Sequence, residues 1–207
     1  MVQKGFYFDS SRCSGCKTCE MACKDYKGLD ASVRFRKVYD IEGGDWSQDE
    51  SGVWTTGSFV YHVAATCNHC DNPACLNVCP TGAVVKDEET GLEGNDTDTC
   101  IGCGSCVTAC PYDEPTLVED QGVARRCDGC LTRVIEGKAP ICVEACPMRA
   151  LEFDDIEALR SKYGDKAEIS PLPSASETMP NLVIGLPPNM TIETMATGII
   201  VNEMEVV

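Results

Sequence analysis

Sixteen of the 207 residues are cysteine, and none of them stands alone. They fall into four groups of four: Cys13, Cys16, Cys19 and Cys23; Cys67, Cys70, Cys75 and Cys79; Cys100, Cys103, Cys106 and Cys110; and Cys127, Cys130, Cys142 and Cys146. The first and third groups share the spacing C-x2-C-x2-C-x3-C, while the second widens its middle gap to four residues and the fourth to eleven. Each group ends in Cys-x3-Cys, and three of the four final cysteines precede a proline: Pro80, Pro111 and Pro147. The first group ends instead in Cys23-Lys24.

Three chemistries use cysteine at this density. A disulfide framework suits a short secreted chain, but gaps of two residues put partners too close in sequence to staple distant segments together. Structural zinc prefers two Cys-x2-Cys knuckles set well apart, a pattern that only the fourth group resembles. The run C-x2-C-x2-C-x3-C-P is the signature of bacterial 4Fe-4S binding, in which three close thiolates hold one cube and the fourth cysteine reaches to a second. A cube needs thiolates converging from a concave loop, and two-residue gaps let a curling backbone aim successive sulfurs inward. Gly15, Gly102, Gly104 and Ser105 leave room inside those loops for close approach and for N–H to sulfur hydrogen bonds. Proline after the last cysteine stops the short helix that carries it.

Four groups whose last cysteines swap imply two paired units and four cubes. Spacing alone permits three pairings of the groups. The two compact and two expanded groups suggest a duplication in which a compact group pairs with an expanded one.

The elements that position these loops are short. Strands are expected over Phe6 to Phe8, Phe59 to Val63, Ala83 to Val85 and Ala150 to Phe153, and a helix over Asp155 to Lys162, ended by Gly164. The fold class is α+β, with small antiparallel sheets and short helices. Residues 24–66 form the largest insertion, whose Trp46 and Trp54 are expected in core or interface packing. From Ser170 onward the chain is Pro-rich without a period, which reads as an extended arm lacking its own core and lying on something else. Iron and sulfide would replace much of the missing apolar core, so the metal-free chain is expected to be largely unfolded.

Composition narrows the function. Seventeen Lys and Arg against 33 Asp and Glu give a net charge of −16, which excludes nucleic acid as a partner because a polyphosphate rewards the opposite sign. No apolar stretch approaches the roughly eighteen residues of a spanning helix, and no leader precedes the first cysteines, so export would depend on another chain. There is no catalytic constellation: the only histidines are His62 and His69, and His69 inside Cys67-Asn68-His69-Cys70 is expected on a surface loop. Lys17, Lys24, Arg125, Arg126 and Arg149 flank the cysteines, where they either offset cluster charge or are simply solvated.

The sequence closely resembles the iron-sulfur electron-transfer (beta) subunit of dimethyl sulfoxide reductase-type molybdenum oxidoreductases. The carriers are Ser11-Arg12-Cys13-Ser14-Gly15-Cys16-Lys17-Thr18-Cys19-Glu20-Met21-Ala22-Cys23-Lys24-Asp25-Tyr26-Lys27, Cys67-Asn68-His69-Cys70-Asp71-Asn72-Pro73-Ala74-Cys75, Cys100-Ile101-Gly102-Cys103, Cys127-Asp128-Gly129-Cys130 and Pro140-Ile141-Cys142-Val143-Glu144-Ala145-Cys146-Pro147. Gly44-Asp45-Trp46 and Pro171-Leu172-Pro173 extend the likeness to essentially the whole chain, and the Cys23-Lys24 ending belongs to the family pattern.

The resemblance implies a non-catalytic subunit that passes electrons along four 4Fe-4S clusters, between a quinol-oxidising membrane anchor and a molybdopterin-containing catalytic subunit, in anaerobic respiration. Carried over from the family, one cluster is held by Cys13, Cys16, Cys19 and Cys146 and the next by Cys127, Cys130, Cys142 and Cys23. The third is held by Cys67, Cys70, Cys75 and Cys110, and the last by Cys100, Cys103, Cys106 and Cys79. The first faces the catalytic subunit and the last faces the quinol side. Related nitrate reductases have tryptophan at the position of Cys103 and a three-iron cluster there, so cysteine at this position implies four complete cubes. The implied modules are 1–23 with 111–169, bearing the first and fourth groups, and 67–110, bearing the second and third; 24–66 is the insertion and 170–207 the C-terminal arm. Family members are membrane-associated through their partners, commonly on the extracytoplasmic face after co-export with the catalytic subunit; a cytoplasmic site fits the sequence equally. Asp113-Glu114 departs from the less acidic loop expected beside the anchor. The alternative is a polyferredoxin-like carrier serving a formate dehydrogenase or hydrogenase, for which a Pro-rich arm has little use.

Overall fold

The computed structural model describes residues 2–206. In chain order its elements begin with β1 (Lys4–Asp9), α1 (Thr18–Lys27), β2 (Arg36–Gly43), β3 (Trp46–Gln48), β4 (Trp54–Thr56), β5 (Phe59–Thr66) and α2 (Ala74–Asn77). There follow β6 (Val84–Lys86), β7 (Glu93–Asn95), α3 (Ser105–Ala109), β8 (Thr116–Val118), β9 (Val123–Arg125), α4 (Leu131–Ile135) and α5 (Ile141–Ala145). The chain closes with β10 (Leu151–Asp155), α6 (Ile156–Tyr163), β11 (Leu182–Gly185), α7 (Ile192–Met195), β12 (Ile199–Ile200) and α8 (Glu203–Val206).

Two three-stranded sheets carry the core, in the orders β10-β1-β11 and β12-β2-β5, and three two-stranded ribbons, β3-β4, β6-β7 and β8-β9, surround them. In β1 the alternation Phe6, Tyr7, Phe8 puts both phenylalanines on one buried face. They pack with Val38, Ile41 and Tyr61 of the second sheet and with Cys19, Cys142 and Cys146. β2 and β5 run antiparallel through eight residue pairs, from Arg36 opposite Thr66 to Gly43 opposite Phe59. Gly28 closes α1 in the left-handed conformation, its N–H reaching the carbonyls of Asp25 and Lys24. Asp155 caps α6 by accepting the Glu157 N–H at 2.9 Å.

The α+β architecture of small sheets and short helices matches the sequence reading, with two differences. The segment from residue 170 onward lies on this same chain. Its strand β11 pairs parallel with β1, Phe6 opposite Leu182, and β12 pairs with β2, Ile200 opposite Ile41. Val183 and Met195 are fully buried, so this segment is a structural part of both sheets. The physical reason is its apolar run Leu182-Val183-Ile184, long enough for a strand despite the flanking prolines. Trp46 and Trp54, expected in core or interface packing, lie outside the core of this chain, 63% and 60% exposed on the β3-β4 ribbon.

Candidate metal centres

Helix geometry distributes the thiols. Cys19 and Cys23 sit one turn apart on α1, about 6 Å along its axis, and both are buried. Cys142 on α5 and Cys146 at its C-terminal cap stand in the same relation, and α1 packs against α5. Two thiols a turn apart on one helix therefore point into two neighbouring spaces. α2 and α3 repeat this arrangement with Cys75 and Cys79, and with Cys106 and Cys110.

Two sets of four thiols each line a common space, and most of the others interact electrostatically in two further sets. Cys13, Cys16, Cys19 and Cys146 line one small, partly open space. Cys79, Cys100, Cys103 and Cys106 line another. Between these two, Cys23, Cys127, Cys130 and Cys142 lie within electrostatic reach of one another, as do Cys70, Cys75 and Cys110. Cys67 opens the loop that carries Cys70 and shares Arg126 with Cys75, while it also acts on Cys127; its place in a set with Cys70, Cys75 and Cys110 belongs to the ligand sets proposed below. We number these quartets one, four, two and three respectively. Among the described residues no three His, Cys, Asp or Glu side chains close to the spacing of a single metal ion; the thiols surround spaces.

Apolar packing joins the quartets into a row. Cys142 of quartet two packs in one cluster with Cys19 and Cys146 of quartet one. Cys23 and Cys127 of quartet two pack with Cys67 of quartet three, and Cys75 of quartet three packs with Cys106 of quartet four. The two exposed cysteines, Cys16 and Cys103, belong to the terminal quartets, whereas all four thiols of quartet two are buried.

Loop conformation and charge both suit an iron-sulfur core. Gly15, Gly102 and Gly104 have φ of 64°, 65° and 74°, the left-handed region that lets each loop curl around its thiols. Backbone N–H groups of Ala124, Gly129 and Ala150 each point at the sulfur of Cys100, Cys127 and Cys146 at 3.4 Å. Thr178 Oγ1 donates to Cys70 Sγ at 3.2 Å, and Arg126 Nη1 to Cys75 Sγ at 2.8 Å. Among the described residues, buried donors without a hydrogen-bond partner are Arg36 Nε and Nη2, His69 Nε2 and Arg126 Nη2, each adjacent to a quartet. A sulfide-rich core supplies the acceptors such donors lack.

Burial pushes the Cys23 and Cys70 thiols up to about 12 and those of Cys19 and Cys110 to about 11. Three thiols of the terminal quartets go the other way, although burial raises Cys13 and Cys106 there as well. Hydrogen bonds from Thr18 and Ser105, side chain first, lower Cys16 and Cys103. Cys79 falls to about 7, where desolvation is outweighed by the N–H groups of Val84 and Thr81 and the Thr81 hydroxyl. Metal loading must therefore displace protons from the buried thiols, whereas Cys16, Cys79 and Cys103 are already turned toward thiolate.

Several flanking residues differ from the sequence expectation. His69 is fully buried, its Nδ1 accepting the Glu93 N–H at 2.9 Å and its ring stacked near Phe6; desolvation lowers it to about 3, so it is neutral. The turn that carries Cys70 is overlaid by Asn181 of the C-terminal segment, a long-range cover that local sequence does not encode. Lys24 and Arg149 are tied to backbone carbonyls, and Lys17 to Asp40 and Glu205. Glu114 is buried, with both carboxyl oxygens unpartnered, while neighbouring Asp113 is exposed and bonded to Lys37. Arg36 escaped sequence reasoning. Its only signal was its place two residues before Val38 on the same strand face.

Comparison with known proteins agrees with this geometry. A 4Fe-4S dicluster domain matches residues 58–156 and a 4Fe-4S binding domain matches residues 10–27. The protein is 52% identical over 205 residues to the B subunit of the anaerobic dimethyl sulfoxide reductase of Escherichia coli K12, covering 99% of each. It shows the same identity and coverage to YnfG, a probable anaerobic dimethyl sulfoxide reductase subunit of that organism. It is 38% identical over 151 residues to the thiosulfate reductase electron transfer subunit PhsB of Salmonella typhi, covering 72% of this chain and 74% of that one. The chain belongs to the dimethyl sulfoxide reductase-type family of iron-sulfur electron-transfer subunits: it carries four 4Fe-4S clusters on a ferredoxin-like frame and moves electrons without catalysing a reaction of its own.

Proposed function

We propose that this subunit is the middle section of a respiratory relay, taking electrons from a quinol-oxidising membrane anchor and delivering them to a molybdopterin-containing catalytic subunit. The observation that carries the reading is the row of quartets with accessible cysteines at its two ends and a buried middle. A wire needs that profile, because its ends must meet a donor and an acceptor while its interior is shielded from solvent. Each 4Fe-4S cluster supplies one-electron uptake and release when bound.

The ligand sets that we propose are the four quartets: Cys13, Cys16, Cys19 and Cys146; Cys23, Cys127, Cys130 and Cys142; Cys67, Cys70, Cys75 and Cys110; and Cys79, Cys100, Cys103 and Cys106. On that basis 1–23 with 111–169 forms one ferredoxin-like module and 67–110 the other, joined by 24–66 and strapped by 170–207. The first quartet meets the catalytic subunit and the fourth meets the anchor. No helix among the described residues is long and apolar enough to cross a membrane, so membrane association runs through the anchor, on the extracytoplasmic face after co-export with the catalytic subunit. Reduction of a sulfoxide is the terminal reaction that the dimethyl sulfoxide reductase relatives favour.

The test is anaerobic purification of the tagged subunit from its native host, with co-purifying chains identified by mass spectrometry and molybdenum quantified. A large molybdenum-bearing chain together with a membrane chain is expected. Iron-loaded protein with neither partner would establish instead a diffusing polyferredoxin-like carrier.

A further inference from the structure

Two arginines are buried along the row of thiols. Arg36, on β2, is 2% exposed; its Nη1 donates to the Ala64 carbonyl at 3.0 Å, and Nε and Nη2 have no partner among the described residues. Its guanidinium lies 5.3 Å from the centre of the Phe6 ring. Thiols of two different quartets act on it electrostatically, Cys19 of quartet one and Cys142, Cys127 and Cys23 of quartet two, as does the buried Glu114 carboxyl. Arg126, 4% exposed, is fixed by Nε to Asn95 Oδ1 at 2.6 Å and by Nη1 to Cys75 Sγ at 2.8 Å, with Nη2 unpartnered. It faces Cys67 and Cys75 of quartet three and also acts on Cys106 of quartet four; the Glu93 carboxylate is 3.6 Å away.

A guanidinium stripped of water is strongly unfavourable unless negative charge surrounds it. The buried Glu114 carboxyl lies within reach of the Arg36 charge but neither of its oxygens bonds to it, so among the described residues the free N–H groups of Arg36 meet no acceptor. Metal-bound thiolates and their core provide both charge and acceptors, and the arginine in turn favours the reduced, more negative state of whatever it touches. Arginine is suited to this place because it stays protonated when buried and presents donors on several sides at once.

We propose that Arg36 and Arg126 are positioning residues of the relay, fixed internal counter-charges that each serve two successive clusters: Arg36 the first and second, Arg126 the third and fourth. Each raises the midpoint potentials of its own pair, so the four centres are tuned as two coupled couples. The inference rests on the ligand sets proposed above.

The test is an EPR-monitored redox titration of the complex isolated anaerobically with its partners, comparing the unmutated subunit with Arg36→Met, Arg36→Lys, Arg126→Met and Arg126→Lys, with iron and sulfide measured in each. Arg36→Met is expected to lower two of the four midpoint potentials and leave two in place, Arg126→Met to lower the complementary two, and each lysine variant to retain most of the original values. Unchanged potentials in a fully loaded methionine variant would overturn the proposal, as would an equal fall in all four, or a lysine variant as low as its methionine counterpart. Should the methionine variants lose iron, pulsed EPR of the unmutated complex carrying 15N-arginine decides: hyperfine coupling of arginine side-chain nitrogen to the reduced centres is expected, and its absence refutes the assignment. Fewer than four titrating centres in the unmutated complex would defeat the ligand sets themselves, a result separable from any arginine effect.

Discussion

Gly102 and Gly104 sit two residues apart in one loop of the fourth quartet, both with left-handed backbone, yet their surroundings differ sharply. A Cβ on Gly102 would meet the Gly122 carbonyl oxygen at 2.3 Å, in the turn between β8 and β9, whereas a Cβ on Gly104 would meet nothing within 4 Å. Alanine at either site carries the left-handed penalty of about 1–2 kcal/mol. At Gly102 the overlap with backbone adds overpacking of about 1–3 kcal/mol, because one loop must move by about an ångström. The total, about 2–5 kcal/mol, falls on the segment holding Cys100 and Cys103. Gly104→Ala should therefore keep all four clusters, and Gly102→Ala should lose the fourth first. Iron per chain and the rate of iron release to a chelator, measured anaerobically on the complex, read this directly. About four irons missing from Gly102→Ala, corresponding to one cube, is the expected result; equal loading and equal release rates in the two variants would refute the steric reasoning.

Burial, opposed by the Lys37 and Arg36 charges, raises the Glu114 carboxyl from 4.5 to about 8. The folded state thus keeps a proton that the unfolded chain gives up, and the stability tied to this group, complete below about 4.5, is lost as pH rises through about 8. Glu114→Gln should release iron more slowly than the parent, with the gap wider at pH 9 than at pH 6; parallel pH profiles would contradict it. Val183, fully buried against Ile156 and Leu159, should cost about 2 kcal/mol when cut to alanine, seen as a lowered midpoint of thermal unfolding. No change there would mean that β11 is not a working strand of the central sheet. Cys103→Ser should leave a three-iron signal in oxidised anaerobic protein, with the other three centres intact; loss of a different centre would reassign Cys103.

The cysteine loops were the most legible part of this molecule, since ligand spacing is a local property and thiolate convergence constrains the backbone between neighbours. Phe6 to Phe8 and the Asp155-capped helix were readable for the same reason: alternation and capping act within a few residues. What was not readable depends on distant cover. His69 is buried because Asn181 closes over its turn, 112 residues later in the chain. Arg36 is an inward-facing charge that hydrophobic patterning reads as surface, and it is buried near thiols that lie far apart in the sequence. The C-terminal segment misled by its prolines: Pro180 and Pro187 bracket a buried strand whose partner, β1, opens the chain.

A continuous relay depends above all on what the four quartets hold. Iron and acid-labile sulfide per chain, measured with low-temperature EPR of the oxidised and reduced complex isolated without oxygen, would settle it. Four complete cubes predict about sixteen irons with an equal number of sulfides, no three-iron signal in the oxidised sample and interacting spins on full reduction. About twelve irons or fewer, the content of three cubes, or a three-iron signal in intact anaerobic protein, would contradict a continuous four-centre relay with Cys103 at its exposed end.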